Sequence, residues 1–128
     1  MSNDKVDATF YDPIGEATRR YIDLLIDEIH DTAVRHGWWE GERNMGEILT
    51  NVHSEITEAW EEYRDGRPLD EVRYAEDGKP EGFPIELADA VIRIMDICAR
   101  YQIDLYGMIR TKMDYNHKRP YRHGGKLA

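Results

Sequence analysis

The sequence is short of three things: cysteine, long apolar runs and basic residues. Cys98 is the only cysteine, so no disulfide can form within the chain, and a cytoplasmic location is expected. No apolar run approaches the roughly 20 residues that a membrane-spanning helix needs, and residues 1–10 lack the apolar segment of a secretory signal. Lysine and arginine number 17 against 26 acidic residues, and the net charge of -9 argues against binding to a nucleic-acid polymer. We therefore expect neither a membrane nor a nucleic-acid polymer as a partner.

The composition otherwise fits one folded domain. Of the 128 residues, 41% are apolar and 34% are charged, a balance typical of soluble globular chains. A chain of this length has room for a single hydrophobic core. We expect a flexible N-terminus over residues 1–11 and one helical domain over residues 12–128, which ends in a basic tail at 118–126.

The spacing of the apolar residues predicts an all-α fold of four helices with no strand. Asp12, Asn44 and Asp104 stand where helix N-caps are needed, since their short side chains can accept hydrogen bonds from free backbone N–H groups. Gly37 and Gly66 follow the first two periodic runs, as glycine commonly follows a helix. The predicted helices run from Pro13 to Gly37, from Asn44 to Gly66, from Pro84 to about Gln102 and from Asp104 to about Lys118.

Two short acidic units, about 30 residues apart, are the most informative feature of the chain. Each places two carboxylates at i and i+3, which is one turn on one face of a helix. Glu55 lies just beside the apolar arc of the second helix, with Glu62 close by and Glu58 further round. Glu86 and Asp89 lie near the start of the third helix, so the two units can face each other in a bundle.

The third helix is apolar around most of its circumference, which indicates burial on nearly every side. A single four-helix chain seldom buries a helix so fully, so we expect oligomers that form through this element. Its charged residues make one narrow polar strip, which consists of Glu86, Asp89, Arg93, Asp96 and Arg100.

Two interpretations of the acidic units remain open. In the first, the polar strip faces the acidic edge of the second helix, and a hard divalent cation lies among the four carboxylates. An all-oxygen ligand set suits Mg²⁺, or Mn²⁺ as a substitute, and argues against zinc. In the second, the acidic edge of the second helix is solvated, and the polar strip holds i, i+4 ion pairs between Asp89 and Arg93 and between Asp96 and Arg100.

Residues 65–83 form a polar connection of about 19 residues that contains two prolines and three glycines. Loops longer than about 15 residues are uncommon in compact domains and often serve as lids or as contacts to a partner. A mobile linker is an equally good interpretation of this segment.

Three segments of the chain resemble a known protein family. The segments NVHSEITEAWEEYR and GFPIELADAVIRIMD resemble the MazG-like family of all-α nucleoside triphosphate pyrophosphohydrolases, and KMDYNHKRPYRHGGK is similar to the end of its single-domain members. The resemblance implies a helical bundle that forms a homodimer or homotetramer. It also implies Mg²⁺-dependent hydrolysis of an NTP or dNTP to the monophosphate and pyrophosphate. Such a reaction removes unwanted nucleotides from the cellular pool. The metal ligands it implies are Glu55, Glu58, Glu86 and Asp89.

The first motif departs from the family pattern. That pattern often reads E-E-x-x-E, and its leading position here is Ser54, so the chain has one carboxylate fewer. The general base therefore has three candidates, which are Glu55, Glu58 and Glu62, in that order.

Residues outside the acidic units are candidates for substrate binding. Basic side chains can neutralise polyphosphate, although they also solvate helix ends. Tryptophan can stack on a base, although it is more often a core residue. Asn44 is a further candidate whose alternative role is the N-cap. The resemblance favours Lys112 and Asn116 as the closest contacts. The full set of predicted substrate contacts is Trp38, Trp39, Asn44, Lys112, Asn116, Arg119, Arg122 and Lys126.

Three other functions compete with this interpretation. A di-iron carboxylate bundle needs Glu-x-x-His motifs, and neither acidic unit has histidine at its fourth position. The dipeptide His30-Asp31 is similar to the HD-type phosphohydrolase motif, but the remaining ligands of such a site are not evident. A non-catalytic helical interaction or regulatory module remains, and it predicts no metal dependence and no pyrophosphate release.

Overall fold

The computed structural model of the chain describes residues 13–127. The predicted flexible segment 1–11 and the predicted N-cap Asp12 lie outside the described residues. Most of the described chain is helical, as the all-α prediction requires. The elements are α1 Pro13–Arg35, α2 Met45–Arg64, β1 Arg73–Tyr74, β2 Pro80–Glu81, α3 Phe83–Arg100, α4 Leu105–His117 and a four-residue helical turn, α5 Arg122–Gly125.

The predicted helix starts are confirmed at α2 and α4. The Asn44 side chain accepts hydrogen bonds from the backbone N–H groups of Gly46, at 2.7 Å, and Glu47, at 3.3 Å. The Asp104 side chain accepts one from the N–H of Gly107 at 3.0 Å. These bonds satisfy donors that have no partner within the helix, which is why the two sequence positions mark helix starts.

The prediction of no strand is wrong for the connection between α2 and α3. Strands β1 and β2 pair in an antiparallel hairpin, in which Arg73 lies opposite Glu81 and Tyr74 lies opposite Pro80. Arg73 in the hairpin forms ion pairs with Glu62 of α2 and with Glu71. A strand of two residues is too short to produce an alternating pattern, so periodicity does not reveal it. The connection is a folded hairpin attached to α2.

The chain divides into two compact units. One unit is residues 26–102, which comprise the C-terminal part of α1, α2, the hairpin and α3. The other combines the described residues up to Leu25 with those from Ile103 onward, and within it Arg19 forms an ion pair with Asp104 at 2.7 Å. The predicted single domain over 12–128 therefore contains two clusters of contacts.

Helices α2 and α3 pack against each other in the unit of residues 26–102. The buried side chains of this unit come from both helices, from α1 and from the segment between α1 and α2. Except for Glu55, these buried side chains are hydrophobic, and they are Ile26, Trp39, Ile48, Ala59, Ala90 and Cys98. Glu55 is the buried charged residue, so the packing of α2 on α3 places one carboxylate inside this core.

Much of the apolar surface of α2 and α3 is exposed in the single chain. Of the apolar arc predicted on α2, only Ile48 and Ala59 are buried. The near-complete burial expected for α3 is therefore not reached within one chain. The exposed apolar residues of α2 are Met45, Leu49, Ile56, Trp60 and Tyr63, and those of α3 are Leu87, Val91, Ile92 and Ile94.

Among the described residues, none of the helices is both long enough and apolar enough to cross a membrane.

Candidate functional site

Three carboxylates from the two acidic units converge between α2 and α3. Glu55 is 7% exposed, Glu86 and Asp89 are half-buried, and one oxygen of each lies within 4.8 Å of the others. Glu58, the fourth predicted ligand, is exposed at the edge of this group and is hydrogen-bonded to Glu55 and Glu86. We call these four residues the acidic cluster. The packing of α2 on α3 therefore brings together the residues predicted as metal ligands.

The pKa values in the acidic cluster reflect the crowding of like charges. Burial, together with a hydrogen bond to Glu58, raises the pKa of Glu86 to about 7. Burial and the nearby charge of Glu55 raise the pKa of Asp89. The hydrogen bond with Glu55, followed by burial, raises the pKa of Glu58. Such a group must hold a proton or a cation near neutral pH, because adjacent carboxylates cannot all be ionised without compensation.

Arg93 also belongs to the site, where its partner is Glu55 and not Asp89 as the i, i+4 spacing predicts. Its Nε donates a hydrogen bond to Oε1 of Glu55 at 2.8 Å, across the interface between α3 and α2. Burial alone would raise the pKa of Glu55, but the hydrogen bond from Arg93 and that with Glu58 lower it overall. The predicted i, i+4 ion pairs of Arg93 with Asp89 and of Asp96 with Arg100 are not formed among the described residues. The sequence feature that indicates Arg93 as a site residue is its position in the polar strip, one turn beyond Asp89.

A cleft of about 690 Å³ adjoins the acidic cluster within the same unit. Glu55, Asp89 and Arg93 line it, and further along α3 so does Asp96. Its other walls come from α1, α2 and the segment between them, including Trp38 and apolar side chains of α1 and α3. An open cleft with both acidic and basic groups can hold a molecule larger than a metal ion.

The two predicted stacking residues have different environments. Trp39 is 8% exposed, and the guanidinium groups of Arg43 and Arg100 lie 4.7 and 5.1 Å from the ring centroid. Its indole Nε1 donates to both carboxylate oxygens of Asp96 at 3.0 Å. Trp38 is 65% exposed and lines the cleft. Trp39 is therefore a core residue in this structure, and Trp38 is the tryptophan whose ring is available to a ligand.

Two further predicted site residues have structural partners. Glu62 forms ion pairs with Arg73 and, at 3.2 Å, with Arg67, and the hydrogen bond from Arg73 lowers the pKa of Glu62. Asn44 caps α2, as described above. A carboxylate held by two guanidinium groups is a weaker base, so the structure favours the two glutamates of the first acidic unit over Glu62.

The predicted phosphate contacts near the C-terminus belong to the other unit. Lys112 and Arg119 lie against the ring of Tyr115, at 4.9 and 5.5 Å from its centroid, and Arg122 lies against Tyr121. The roles of Lys112, Asn116, Arg119, Arg122 and Lys126 in substrate binding stay predictions.

Among the described residues, His30 and Asp31 do not come together as the HD-type alternative requires. Nδ1 of His30 is 2.7 Å from Oδ1 of Asp96, whereas Asp31 forms an ion pair with Arg35 at 2.9 Å. His30 and Asp31 thus contact different partners and belong to no group of potential metal ligands in the described chain.

Comparison of the chain with family models, with curated proteins and with solved structures gave no match in any of the three.

Proposed function

We propose that this protein is a Mg²⁺-dependent nucleoside triphosphate pyrophosphohydrolase, which converts an NTP or dNTP to the monophosphate and pyrophosphate. The observation that carries the proposal is the convergence of the acidic cluster beside a cleft of nucleotide size. The resemblance of both motifs to MazG-like proteins supports the same activity. Mg²⁺ chemistry on a polyphosphate needs this combination of carboxylate ligands and an adjoining pocket.

The donor set fits a hard divalent cation. Glu55, Glu86 and Asp89 offer only carboxylate oxygens, which suits Mg²⁺ or Mn²⁺. A cation there would relieve the repulsion that raises the pKa values of Glu86 and Asp89. When bound, the cation supplies neutralisation of polyphosphate charge and lowers the pKa of attacking water.

The side chains around the acidic cluster have separate roles in this proposal. Glu58 is the base, since it is exposed at the edge of the cluster and is not held by an arginine as Glu55 is. Arg93 holds Glu55 in position through its Nε, and because Arg93 also lines the cleft, its guanidinium can contact a bound phosphate. Water cleaves the phosphoanhydride bond between the α- and β-phosphates, and its proton passes to Glu58.

The cleft would hold the nucleoside part of the substrate. Trp38 offers an exposed indole for stacking, and the apolar side chains of Ile29 and Ile92 line the same cleft. In a triphosphate bound in this way, the sugar and base lie in the cleft and the phosphates lie at the acidic cluster.

The test is a panel of canonical and modified NTPs and dNTPs incubated with the protein, with and without Mg²⁺. We expect Mg²⁺-dependent release of a nucleoside monophosphate and pyrophosphate in equal amounts. Chromatography of the nucleotides and a pyrophosphate assay measure the two products. If no nucleotide is turned over and calorimetry detects neither Mg²⁺ nor Mn²⁺ binding, the proposal fails and the non-catalytic interaction module takes its place.

A further inference from the structure

Asp96 lines the cleft but has no part in the proposed metal site. Its side chain is 14% exposed. Oδ1 is within hydrogen-bond distance of His30 Nδ1, at 2.7 Å, and of Trp39 Nε1, at 3.0 Å, while Oδ2 is 3.0 Å from the same indole N–H. A carboxylate only accepts hydrogen bonds, so His30 Nδ1 carries the hydrogen that it donates. Two aromatic side chains therefore fix the orientation of the carboxylate.

The position of Asp96 along α3 suits the far end of a nucleotide. Asp96 follows Asp89 by seven residues, or two helical turns, which is roughly 10 Å along the helix axis. Both residues line the same cleft. This separation is comparable to the span from the α-phosphate to the hydrogen-bonding edge of the base in an extended nucleotide. With the phosphates at the acidic cluster, the base would reach Asp96.

We propose that Asp96 selects the base, and that the preferred substrates carry an exocyclic amino group on the Watson–Crick edge, as cytosine, adenine and guanine do. This inference rests on the proposed function and concerns the specificity of the same site. Among residues 13–127, Oδ1 accepts from two donors, whereas Oδ2 accepts only from Trp39, so Oδ2 has a lone pair left for a ligand. An amino group of the base is a donor that can use this lone pair.

Uracil and thymine fit this acceptor poorly. Their exocyclic groups on that edge are carbonyl oxygens, which would face the negative charge of Asp96. Their N3–H is a donor, but it lies between two carbonyl oxygens, so approach to the carboxylate brings repulsion on both sides. A base that presents an acceptor to a fixed, half-buried acceptor leaves both groups unsatisfied.

An acceptor on the edge of an amino-bearing base also finds a partner in the cleft. Asn51 lines the same cleft and can donate or accept through its amide. The N3 nitrogen beside the amino group of cytosine is an acceptor that the amide of Asn51 can satisfy.

The first experiment needs only the unmodified protein with Mg²⁺. Turnover of dCTP is compared with that of dUTP, and turnover of dATP with that of dITP, because each pair differs by an amino group replaced with a carbonyl. We expect kcat/KM to favour the amino-bearing member of each pair by about tenfold or more, as one good base-edge contact provides. Equal values, or a preference for dUTP and dITP, overturn the inference while leaving the proposed function in place.

The second experiment replaces the carboxylate by an amide of the same shape. In Asp96→Asn, the amide oxygen is held towards His30 and Trp39, because both are donors, and the NH₂ group faces the ligand. The dCTP to dUTP ratio of kcat/KM should therefore fall by about tenfold, and turnover of dUTP should rise. Asp31→Asn is the matched control, since Asp31 is exposed and forms an ion pair with Arg35, and its ratio should match that of the unmodified protein. An unchanged ratio in a folded Asp96→Asn variant contradicts the inference.

A binding measurement separates the two proposals and does not depend on the variant. The non-hydrolysable α,β-imido analogues of dCTP and dUTP are titrated into the unmodified protein with Mg²⁺ by calorimetry. Tighter binding of the dCTP analogue supports the role of Asp96 even if no nucleotide is hydrolysed. Equal affinity, or no binding of either analogue, overturns it.

Discussion

At the scale of single residues, the proposed function predicts what happens when a carboxylate of the acidic cluster is replaced. Glu86→Gln and Asp89→Asn each remove one anionic ligand and keep the size of the side chain. We expect kcat/KM for the preferred nucleotide to fall by about 100-fold or more, since the charge that holds the cation is lost. The metal-free variants should unfold at the same temperature as the unmodified protein or higher, because repulsion within the cluster is reduced.

Glu61→Gln provides the control for these variants. Glu61 is exposed on α2, close in sequence to the acidic cluster but outside it, so its replacement should leave kcat/KM unchanged. Steady-state kinetics and thermal unfolding measure both effects. Near-normal turnover in Glu86→Gln or Asp89→Asn would show that the site has been assigned to the wrong residues, even where the activity is present.

The raised pKa of Glu86 predicts how stability depends on pH. Its ordinary value is 4.5 and its value in the folded chain is about 7, so between these values the folded state binds more protons than the unfolded state. The free energy of unfolding of the metal-free protein should therefore fall as pH rises from about 4.5 to 7. Glu58 and Asp89 contribute in the same direction, because their pKa values are also raised. The lowered pKa of Glu55 acts only at lower pH, where protonation of Glu55 removes stability.

Thermal unfolding between pH 4 and 8, with EDTA or with Mg²⁺, measures this dependence. Mg²⁺ should stabilise little at pH 5 and strongly at pH 8, because it competes with protons for the same carboxylates. The pH dependence of the metal-free protein should be weaker in Glu86→Gln. A Mg²⁺ effect of the same size at every pH would argue against binding at the acidic cluster.

At the scale of the element, the helices could be predicted from the sequence and the hairpin could not. Caps at Asn44 and Asp104 are local signals, and they placed the starts of α2 and α4 within a residue. The placement of each acidic pair on one face of its helix could be predicted for the same reason, because the i, i+3 spacing is also local. The partner of Arg93 could not be predicted, since the spacing within α3 indicates Asp89 and only the packing of α3 on α2 brings Glu55 within 2.8 Å.

The hairpin depends on contacts that short-range patterns do not contain. Gly82 lies between β2 and α3 with φ +131°, and a Cβ at this position would lie 2.3 Å from the carbonyl oxygen of Glu71. That backbone conformation and that close approach both require glycine. Because the backbone N–H of Glu86 donates to the carbonyl of Gly82 at 3.0 Å, this residue also fixes the first turn of α3, from which Glu86 reaches the acidic cluster.

Gly82→Ala should therefore destabilise the protein by roughly 1–3 kcal/mol through backbone strain and steric overlap. Gly78→Ala is the matched control, because Gly78 also has a positive φ, of +87°, but its Cβ would meet nothing within 4 Å. Its cost should be limited to the conformational strain, about 1 kcal/mol. Chemical denaturation of both variants measures the difference, and equal costs would contradict the role given to the contact with Glu71.

At the scale of the whole molecule, the exposed apolar residues of α2 and α3 predict association between copies of the chain. The five on α2, from Met45 to Tyr63, fall within an arc of about 60° when projected at 100° per residue. On α3, Leu87, Val91 and Ile94 lie on the side opposite the polar strip, so a partner can cover them without closing the cleft. Continuous apolar surface of this kind is typical of an interface rather than of a monomer surface.

Trp60 tests this surface directly. It is 54% exposed in the single chain, and its ring lies 5.7 Å from that of Tyr63 on the same helix. A charge introduced at an exposed site costs a monomer little, but buried in an interface it is strongly unfavourable. Trp60→Glu should therefore dissociate a homodimer or homotetramer, whereas Tyr74→Glu, at the exposed hairpin position, should leave the assembly intact. Size-exclusion chromatography with light scattering over a range of concentrations measures the mass of each variant. A monomeric mass for the unmodified protein at all concentrations would contradict the prediction.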